Sequence, residues 1–454
     1  MPTSLALVSS SATWPAPLSD RALDAVVEVP GSKSITNRAL VLAAISDGSS
    51  LITRPLHSRD TTLMAQALRS LGIGGSDVPD PDSHVRGWRV DPRPMHGPTT
   101  IDCGLAGTVM RFVPPLAAFA HGPVTFDGDE RARQRPMAPI IESLRALGVI
   151  VEDEGRGCLP FIVNARGGAA GGTVTLDASA SSQFVSALLL VGSQFDDGVT
   201  VQHRGGPMPS LPHIDMTVQM LRRRGVHVEA DTSDPTRASW HVASGPVRAL
   251  DVAIEPDLSN AAPFLAAAAV AGGSVSVAAW PDTTTQAGDA FPALLTAMGA
   301  SVTRHDGSLT VTGTGELHGI DADMREVGEL VPTLAAVAAL ADSPTTITGV
   351  AHLRGHETDR LAALVSEIKA LGGKAEQLDD GLRIAPAPLH GGIWHTYNDH
   401  RMATAGAIIG LRVGGVEVED VETTAKTLPG FTSLWQAMLG RPAPASAEMD
   451  TPTA

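Results

Sequence analysis

The sequence predicts an α/β protein made of six copies of one unit, and two recurring patterns predict it. In the first, an apolar helix with a polar start runs into a Gly or Asp turn and then a β-branched strand. In the second, a helix of apolar 3–4 spacing closes at a glycine, the expected residue just past a last helical turn. Both recur about every 75 residues, which marks internal repetition.

The first pattern occupies Ser32 to Thr53 with its turn at Asp47-Gly48, Ala106 to Phe126 with a turn expected at His121-Gly122, and Ser181 to Val201 with a turn at Asp197-Gly198. It returns at Ser259 to Val277 through Gly272-Gly273, at Glu329 to Ile347 through Asp342-Ser343-Pro344, and at Asp399 to Val418 through Gly414-Gly415. The second pattern ends at Leu71-Gly72, Leu147-Gly148, Arg224-Gly225, Met298-Gly299, Leu371-Gly372 and Leu439-Gly440. Met1 to about Ser19 reads as a loose leader, and Arg441 to Ala454 as a disordered Pro/Ala/Thr tail.

The chain has 454 residues, enough for two or three domains with full cores. Its formal charge of -16 argues against a nucleic-acid binder and against docking on an anionic membrane. Leu258 to Pro281 carries no charge, but Pro263 and Gly272-Gly273 interrupt it, so a buried helix and a strand are expected there and not a membrane span. Two cysteines, Cys103 and Cys158, lie outside any C-x-x-C or zinc spacing. A reduced, cytoplasmic protein is expected, and Met1 to Asp20 lacks the charged start of a signal peptide.

The most informative stretch is Pro30-Gly31-Ser32-Lys33-Ser34-Ile35-Thr36-Asn37-Arg38. A turn, a hydroxyl, a cation and a second hydroxyl precede an apolar helix, so free N–H groups and the helix dipole face an anion-sized space. The plainer reading makes Ser32 an ordinary N-cap and Lys33 a solvated cation. The stretch is not a P-loop, because G-x-x-x-x-G-K-[ST] is absent. Polar residues recur at equivalent helix starts: Gly107-Thr108 with Arg111, Ser181-Ser182-Gln183, Ser259-Asn260, Glu329 and Asp399-His400-Arg401. Equivalent positions in a repeat point in equivalent directions, so these starts are expected to share one cleft. N-capping alone accounts for Ser and Asp, but not for Lys33, Arg111 and Arg401.

From about Pro30 to about Leu434 the motifs resemble the 5-enolpyruvylshikimate-3-phosphate synthase family. They are the 30–38 stretch; Ala106-Gly107-Thr108-Val109-Met110-Arg111; Arg135-Pro136; Ser181-Ser182-Gln183-Phe184; Glu357-Thr358-Asp359-Arg360-Leu361; Asn398-Asp399-His400-Arg401-Met402; and Lys426-Thr427-Leu428-Pro429. The resemblance implies the enolpyruvyl transferase fold: two similar domains, each an inside-out α/β barrel of three units, joined by two hinge crossings near residues 30 and 253. One domain would be 31–253 and the other 1–30 plus 254–454. It also implies transfer of the enolpyruvyl group of phosphoenolpyruvate to the 5-hydroxyl of shikimate 3-phosphate, in chorismate and aromatic amino acid biosynthesis, by a monomer with no cofactor and no metal.

Carried over by motif, Lys33, Ser34, Arg38, Ser181, Ser182, Gln183 and Ser210 would hold shikimate 3-phosphate, with Glu329, His352 and His356 beside it. Lys33, Gly107, Arg135, Gln183, Arg360, Arg401 and Lys426 would hold phosphoenolpyruvate. Glu329 would stand at the acceptor hydroxyl, Glu357 would exchange protons with C3, and Lys33 would neutralise or shuttle charge at the departing phosphate.

The chain departs from the family pattern at several positions. Glu329 stands for a common Asp, His352 for Asn, His356 for Lys, His213 for Tyr, Leu105 for Asn, and Phe112 for Pro. An imidazole at 356 titrates near neutrality, so catalytic efficiency is expected to decline as pH rises through its pKa. Glu357 and substrate phosphate would raise that pKa and Lys33, Arg360 and Arg401 would lower it, which leaves its direction open. His352, His356 and Asp359 do not make a convincing metal site, because Gly355 breaks a regular helix and Arg360 takes the last place of H-E-x-x-H.

Two alternative readings fit the residues less well. The related transferase acting on UDP-N-acetylglucosamine carries a reactive loop cysteine, which Asp129 to Arg135 lacks. An inactive anion-binding paralogue would be marked by loss of Lys33, Glu329 or Glu357, and all three are present.

Overall fold

The structure, a computed structural model, describes residues 12–80 and 86–442. The helices are α1 (Lys33–Ala44), α2 (Arg59–Ser70), α3 (Gly107–Ala117), α4 (Ala138–Ala146), α5 (Gln183–Val191), α6 (Leu211–Arg223), α7 (Leu258–Ala271), α8 (Phe291–Ala297), α9 (Val331–Ala338), α10 (Arg360–Ala370), α11 (His400–Gly410) and α12 (Phe431–Met438). The odd-numbered helices are the first pattern and the even-numbered ones the second. Each glycine closing the second pattern lies at positive φ, from 66° at Gly440 to 110° at Gly299, a conformation that side-chain-bearing residues rarely adopt.

The strands form five four-stranded sheets and one three-stranded sheet among the described residues. In each unit a strand pairs in parallel with the strand following the odd-numbered helix, as Thr99–Asp102 does with His121–Asp127 across α3. The odd helices are apolar on nearly every face, so they must be enclosed on all sides. In one half α1, α3 and α5 pack on one another, and in the other α7, α9 and α11 do, with sheets outside them. One apolar cluster runs from Ile35 to Ile254; the second joins Ala16 to Val29 with Leu258 to Leu439.

The halves exchange a strand each. Leu23–Val27 precedes α1 but pairs with Gly273–Val277 of the other half. Val252–Ala253 precedes α7 but pairs with Ile52 and Thr53. Where these segments pass, Ser32 N donates to Glu255 O at 2.8 Å and Asp257 N to Pro30 O at 2.9 Å. Gly31 sits in this crossing, where an added Cβ would lie 2.2 Å from Arg54 O. Gly31→Ala is expected to cost about 1–3 kcal/mol, because a backbone oxygen cannot swing away as a flexible side chain can. Thermal unfolding measures it; an unchanged midpoint would show that the crossing has slack.

Four sequence expectations change. Thr13–Pro15, expected in a loose leader, is a strand antiparallel to Glu417–Glu419. Among the described residues no hairpin follows α12, so the edge of the sixth sheet is left to the leader, which pairs with it; Trp14 packs against Phe431 with ring centroids 6.1 Å apart. Gly122 lies within strand His121–Asp127 and not in a turn, with φ 107°, and an added Cβ would lie 3.1 Å from the Gly97 carbonyl carbon. Glu329 lies in a 3₁₀ turn, Arg325–Leu330, just before α9. Of the expected tail, Arg441 is anchored by its side chain to Leu18 O at 2.7 Å, and 443–454 lie outside the described residues. No helix among the described residues is long and apolar enough to cross a membrane.

Candidate active site

The helix starts of both halves meet in one open cleft. Lys33, Ser34, Gly107, Arg135, Ser181, Ser182, Gln183 and Ser210 line it from one half. Glu329, His352, His356, Glu357, Arg360, Arg401 and Lys426 line it from the other. The chain therefore brings together residues almost 400 positions apart, as the repeat requires.

Glu357 is the electrostatic centre. Its Oε1 accepts from Lys426 Nζ at 2.9 Å and its Oε2 from Arg360 Nη2 at 2.9 Å. Burial alone would raise its pKa, but Lys426 and Arg360 outweigh burial and hold it well below the usual carboxylate value. Arg360 is itself enclosed: Asp399, fully buried, accepts from Nε at 2.7 Å and from Nη2 at 3.2 Å. Asp399 Oδ1 also caps α11 by accepting from Arg401 N at 2.9 Å. One carboxylate thus aims Arg360 and places Arg401 at its helix start, where no group among the described residues hydrogen-bonds the Arg401 guanidinium.

Lys33 faces this group from α1. Burial lowers its ammonium pKa; Asp60, 3.3 Å away, opposes that, and Lys426 and Arg401 add to it. Arg135 lies against the start of α3, where Gly107 leaves room: a Cβ there would lie 3.2 Å from Arg135 Nη1 and 2.8 Å from Arg111 Nη1. Arg135 Nε is buried without a partner among the described residues. The arrangement is a ring of cations, of which Lys33, Arg360 and Arg401 stand in first helical turns, around Glu329 and Glu357, with Asp60 and Asp257 also on the wall. It suits a multiply charged anion that needs proton transfer at two points.

The sequence model of the EPSP synthase (3-phosphoshikimate 1-carboxyvinyltransferase) family matches residues 19–435. The chain belongs to this family. A curated relative named 3-phosphoshikimate 1-carboxyvinyltransferase, from Kocuria rhizophila, is 55% identical over 433 residues, covering 94% of this chain and 96% of that protein. An EPSP synthase from Acinetobacter baumannii superposes with a TM-score of 0.77 at 26% identity, over 93% of this chain and 97% of that one. The enolpyruvyl transferase NikO from Streptomyces tendae, at 18% identity and a TM-score of 0.69, shares the fold, covering 93% of this chain and 96% of its own.

Two expectations meet a different geometry in the cleft. Arg38, expected to hold shikimate 3-phosphate, does not line the cleft. It is 2% exposed, and its guanidinium donates to Thr217 Oγ1 at 2.7 Å, Ser34 O at 3.1 Å, Ser186 Oγ at 3.3 Å and His213 O at 3.0 Å. A cation one helical turn inside α1 points into packed protein, where it braces two wall residues, Ser34 and His213. The second is the charge of His356. Burial and Arg360 push its pKa well below the ordinary value, and its Nδ1 faces Arg360 Nη1 at 3.2 Å. Arginine has only donors, so Nδ1 accepts and the imidazole is neutral. The expected decline of efficiency through a neutral-range His356 titration therefore has no basis in the ligand-free site. Burial likewise lowers the His352 pKa to about 4.

The sequence reading missed Asp60 and Asp257. Asp60 lies in the first turn of α2, where an acidic residue is unremarkable in sequence, yet it is buried against Lys33. Asp257 caps α7 by accepting from Asn260 N at 3.0 Å and also receives Lys33 N at 3.2 Å, tying the two halves at the crossing. The sequence reading starts this helix at Ser259, two residues past the cap that the structure assigns to Asp257.

Proposed function

We propose that the cleft is where phosphoenolpyruvate and shikimate 3-phosphate react, and that the residues converging there divide the work. The reaction is that of the family: the carboxyvinyl group moves to the 5-hydroxyl of shikimate 3-phosphate and phosphate leaves, a step of aromatic amino acid biosynthesis. The observation that carries the residue assignment is Glu357 bridging Lys426 and Arg360 while Glu329 stands on the same cleft wall.

Phosphoenolpyruvate, with its phosphate and carboxylate, takes Arg135, Arg360, Arg401, Lys426 and Lys33 as counter-ions, with Gly107 and Gln183 beside it. Shikimate 3-phosphate lies toward Lys33, Ser34, Ser181, Ser182, Gln183 and Ser210, with Glu329 at its 5-hydroxyl and His352 and His356 lining the far wall. In the addition step the hydroxyl oxygen attacks C2, its proton passes to Glu329, and C3 takes a proton from Glu357. In the elimination C3 returns that proton to Glu357 as the C2–O–phosphate bond breaks. Glu357 is ionised in the ligand-free site. Substrate anions that engage Lys426 and Arg360 withdraw those cations from it and raise its pKa, so binding prepares the acid. The depressed pKa of Lys33 suits it to pass a proton toward the leaving phosphate.

The two halves are proposed to be separate domains meeting at the crossing near residues 30 and 253, and the chain to act in the cytoplasm as a monomer. The deciding experiment is phosphate release from phosphoenolpyruvate with shikimate 3-phosphate set against UDP-N-acetylglucosamine as acceptor. Release with shikimate 3-phosphate alone is expected. Release only with the nucleotide sugar, or with neither, would overturn this reading.

A further inference from the structure

We propose that His213, carried by one half of the molecule, is the positioning residue for Glu329, carried by the other, so that the hydroxyl-side base is assembled only when the halves meet.

The inference rests on the functional reading above and on four contacts. Ser210 N donates to Arg325 O at 3.2 Å, and Leu211 N to Glu326 Oε2 at 2.7 Å. These two bonds dock the first turn of α6 on the 3₁₀ turn that holds Glu329, across the cleft. The docking brings His213 Nε2 within 3.5 Å of Glu329 Oε1. Ser259 Oγ approaches the same oxygen, also at 3.5 Å. Glu329 Oε2 has no hydrogen-bond partner among the described residues, which leaves it to the acceptor hydroxyl.

The imidazole is itself held. Its backbone carbonyl accepts from Arg38 Nη2, and Arg38 is locked between Thr217, Ser186 and Ser34 O. This gives buried Arg38 a role one layer behind the cleft. Burial lowers the His213 pKa; Glu329 and Asp257 oppose that, and Arg38 and Arg401 add to it. A neutral ring with Nε2 toward a carboxylate carries its proton on Nε2. At 3.5 Å the pair lies just outside hydrogen-bond distance, and a small approach as substrate is seated lets Nε2 donate and fix the carboxylate without neutralising it.

A double-mutant cycle tests this, with kcat and both KM values read for His213→Phe, His213→Gln, Glu329→Gln and the Phe/Gln double variant. His213→Phe is expected to lower kcat about tenfold, a fraction of a full acid–base contribution, with both KM values within about threefold. His213→Gln, whose amide reaches as far as Nε2, is expected to recover most of that loss. In the Glu329→Gln background His213→Phe should change kcat by less than about twofold, because the partner it serves is already gone. Multiplicative losses would overturn the proposal, as would a raised KM for shikimate 3-phosphate with kcat intact. If the Phe variant fails to fold, His213→Asn decides: its amide falls short of Glu329, and undiminished kcat would overturn the proposal. A wild-type enzyme idle with shikimate 3-phosphate would remove the functional reading as well. An active wild type with additive variants would remove this inference alone.

Discussion

Glu357→Gln is expected to slow turnover by about a hundredfold or more while leaving phosphoenolpyruvate affinity unchanged or tighter. The rate falls because an amide cannot exchange a proton with C3, and general acid–base groups contribute on this scale. The direction of the affinity change follows from the two ion pairs. In the free enzyme Glu357 occupies Lys426 and Arg360, both 2.9 Å away, so it competes with the substrate anion for them. Calorimetric titration with phosphoenolpyruvate in the presence of shikimate 3-phosphate, beside steady-state kinetics, separates the two effects. Affinity and turnover falling together would make Glu357 a structural partner of the cations and not the proton carrier.

The same variant has an acid-side signature. The folded-state pKa of Glu357 is held well below its ordinary 4.5. A carboxylate depressed in the folded state contributes stability above its unfolded pKa and loses it as pH falls through the folded value. Wild type should therefore lose this contribution only below about pH 4.5, and Glu357→Gln should lack that part of the acid transition.

Asp399→Ala is expected to be among the most destabilising single changes in the second half, by about 3–5 kcal/mol. It strips a fully buried guanidinium of two of its hydrogen bonds and removes the cap of α11 in one step. Arg360 would be left with Glu357, whose own pairing with Lys426 would then be disturbed. Asp399→Asn keeps the shape and an acceptor, so it should cost less. Chemical unfolding of both variants measures the difference, and kinetics should show KM for phosphoenolpyruvate raised in the Ala variant as Arg360 loses its aim. Equal, small losses in both would mean that Glu357 alone suffices to hold Arg360.

Much of this molecule was legible before any coordinates. The two repeating patterns set six helix–turn–strand units in order, because an enclosed helix must be apolar on most faces and a helix end needs a residue that tolerates positive φ. The glycines at 72, 148, 225, 299, 372 and 440 all take that conformation. The misplaced turn at Gly122 shows the limit of the argument: glycine marks backbone freedom or close approach, and there it was close approach to Gly97.

Sequence by itself pointed to the family, to the helix starts that carry cations, and to Lys33, Glu329 and Arg401 as members of one site, since a repeat dictates direction; Glu357 joined them through the family resemblance. Only the tertiary structure decided which charges face solvent, the cleft or one another. Arg38 and Arg111 sit one helical turn behind Ser34 and Gly107, and periodicity alone cannot say whether a side chain that far in reaches forward or back. Packing turned Arg38 toward Thr217 and His213. Asp60, Asp257 and Asp399 are ordinary first-turn or capping residues in sequence; the fold makes them the counter-ions that aim Lys33 and Arg360. The charge of His356 was likewise beyond sequence, because it depends on burial and on Arg360 standing 3.2 Å from its ring nitrogen. The partner strand for residues 13–15 was hidden for the same physical reason: a sheet edge left open by the last unit exists only once the units have closed on one another.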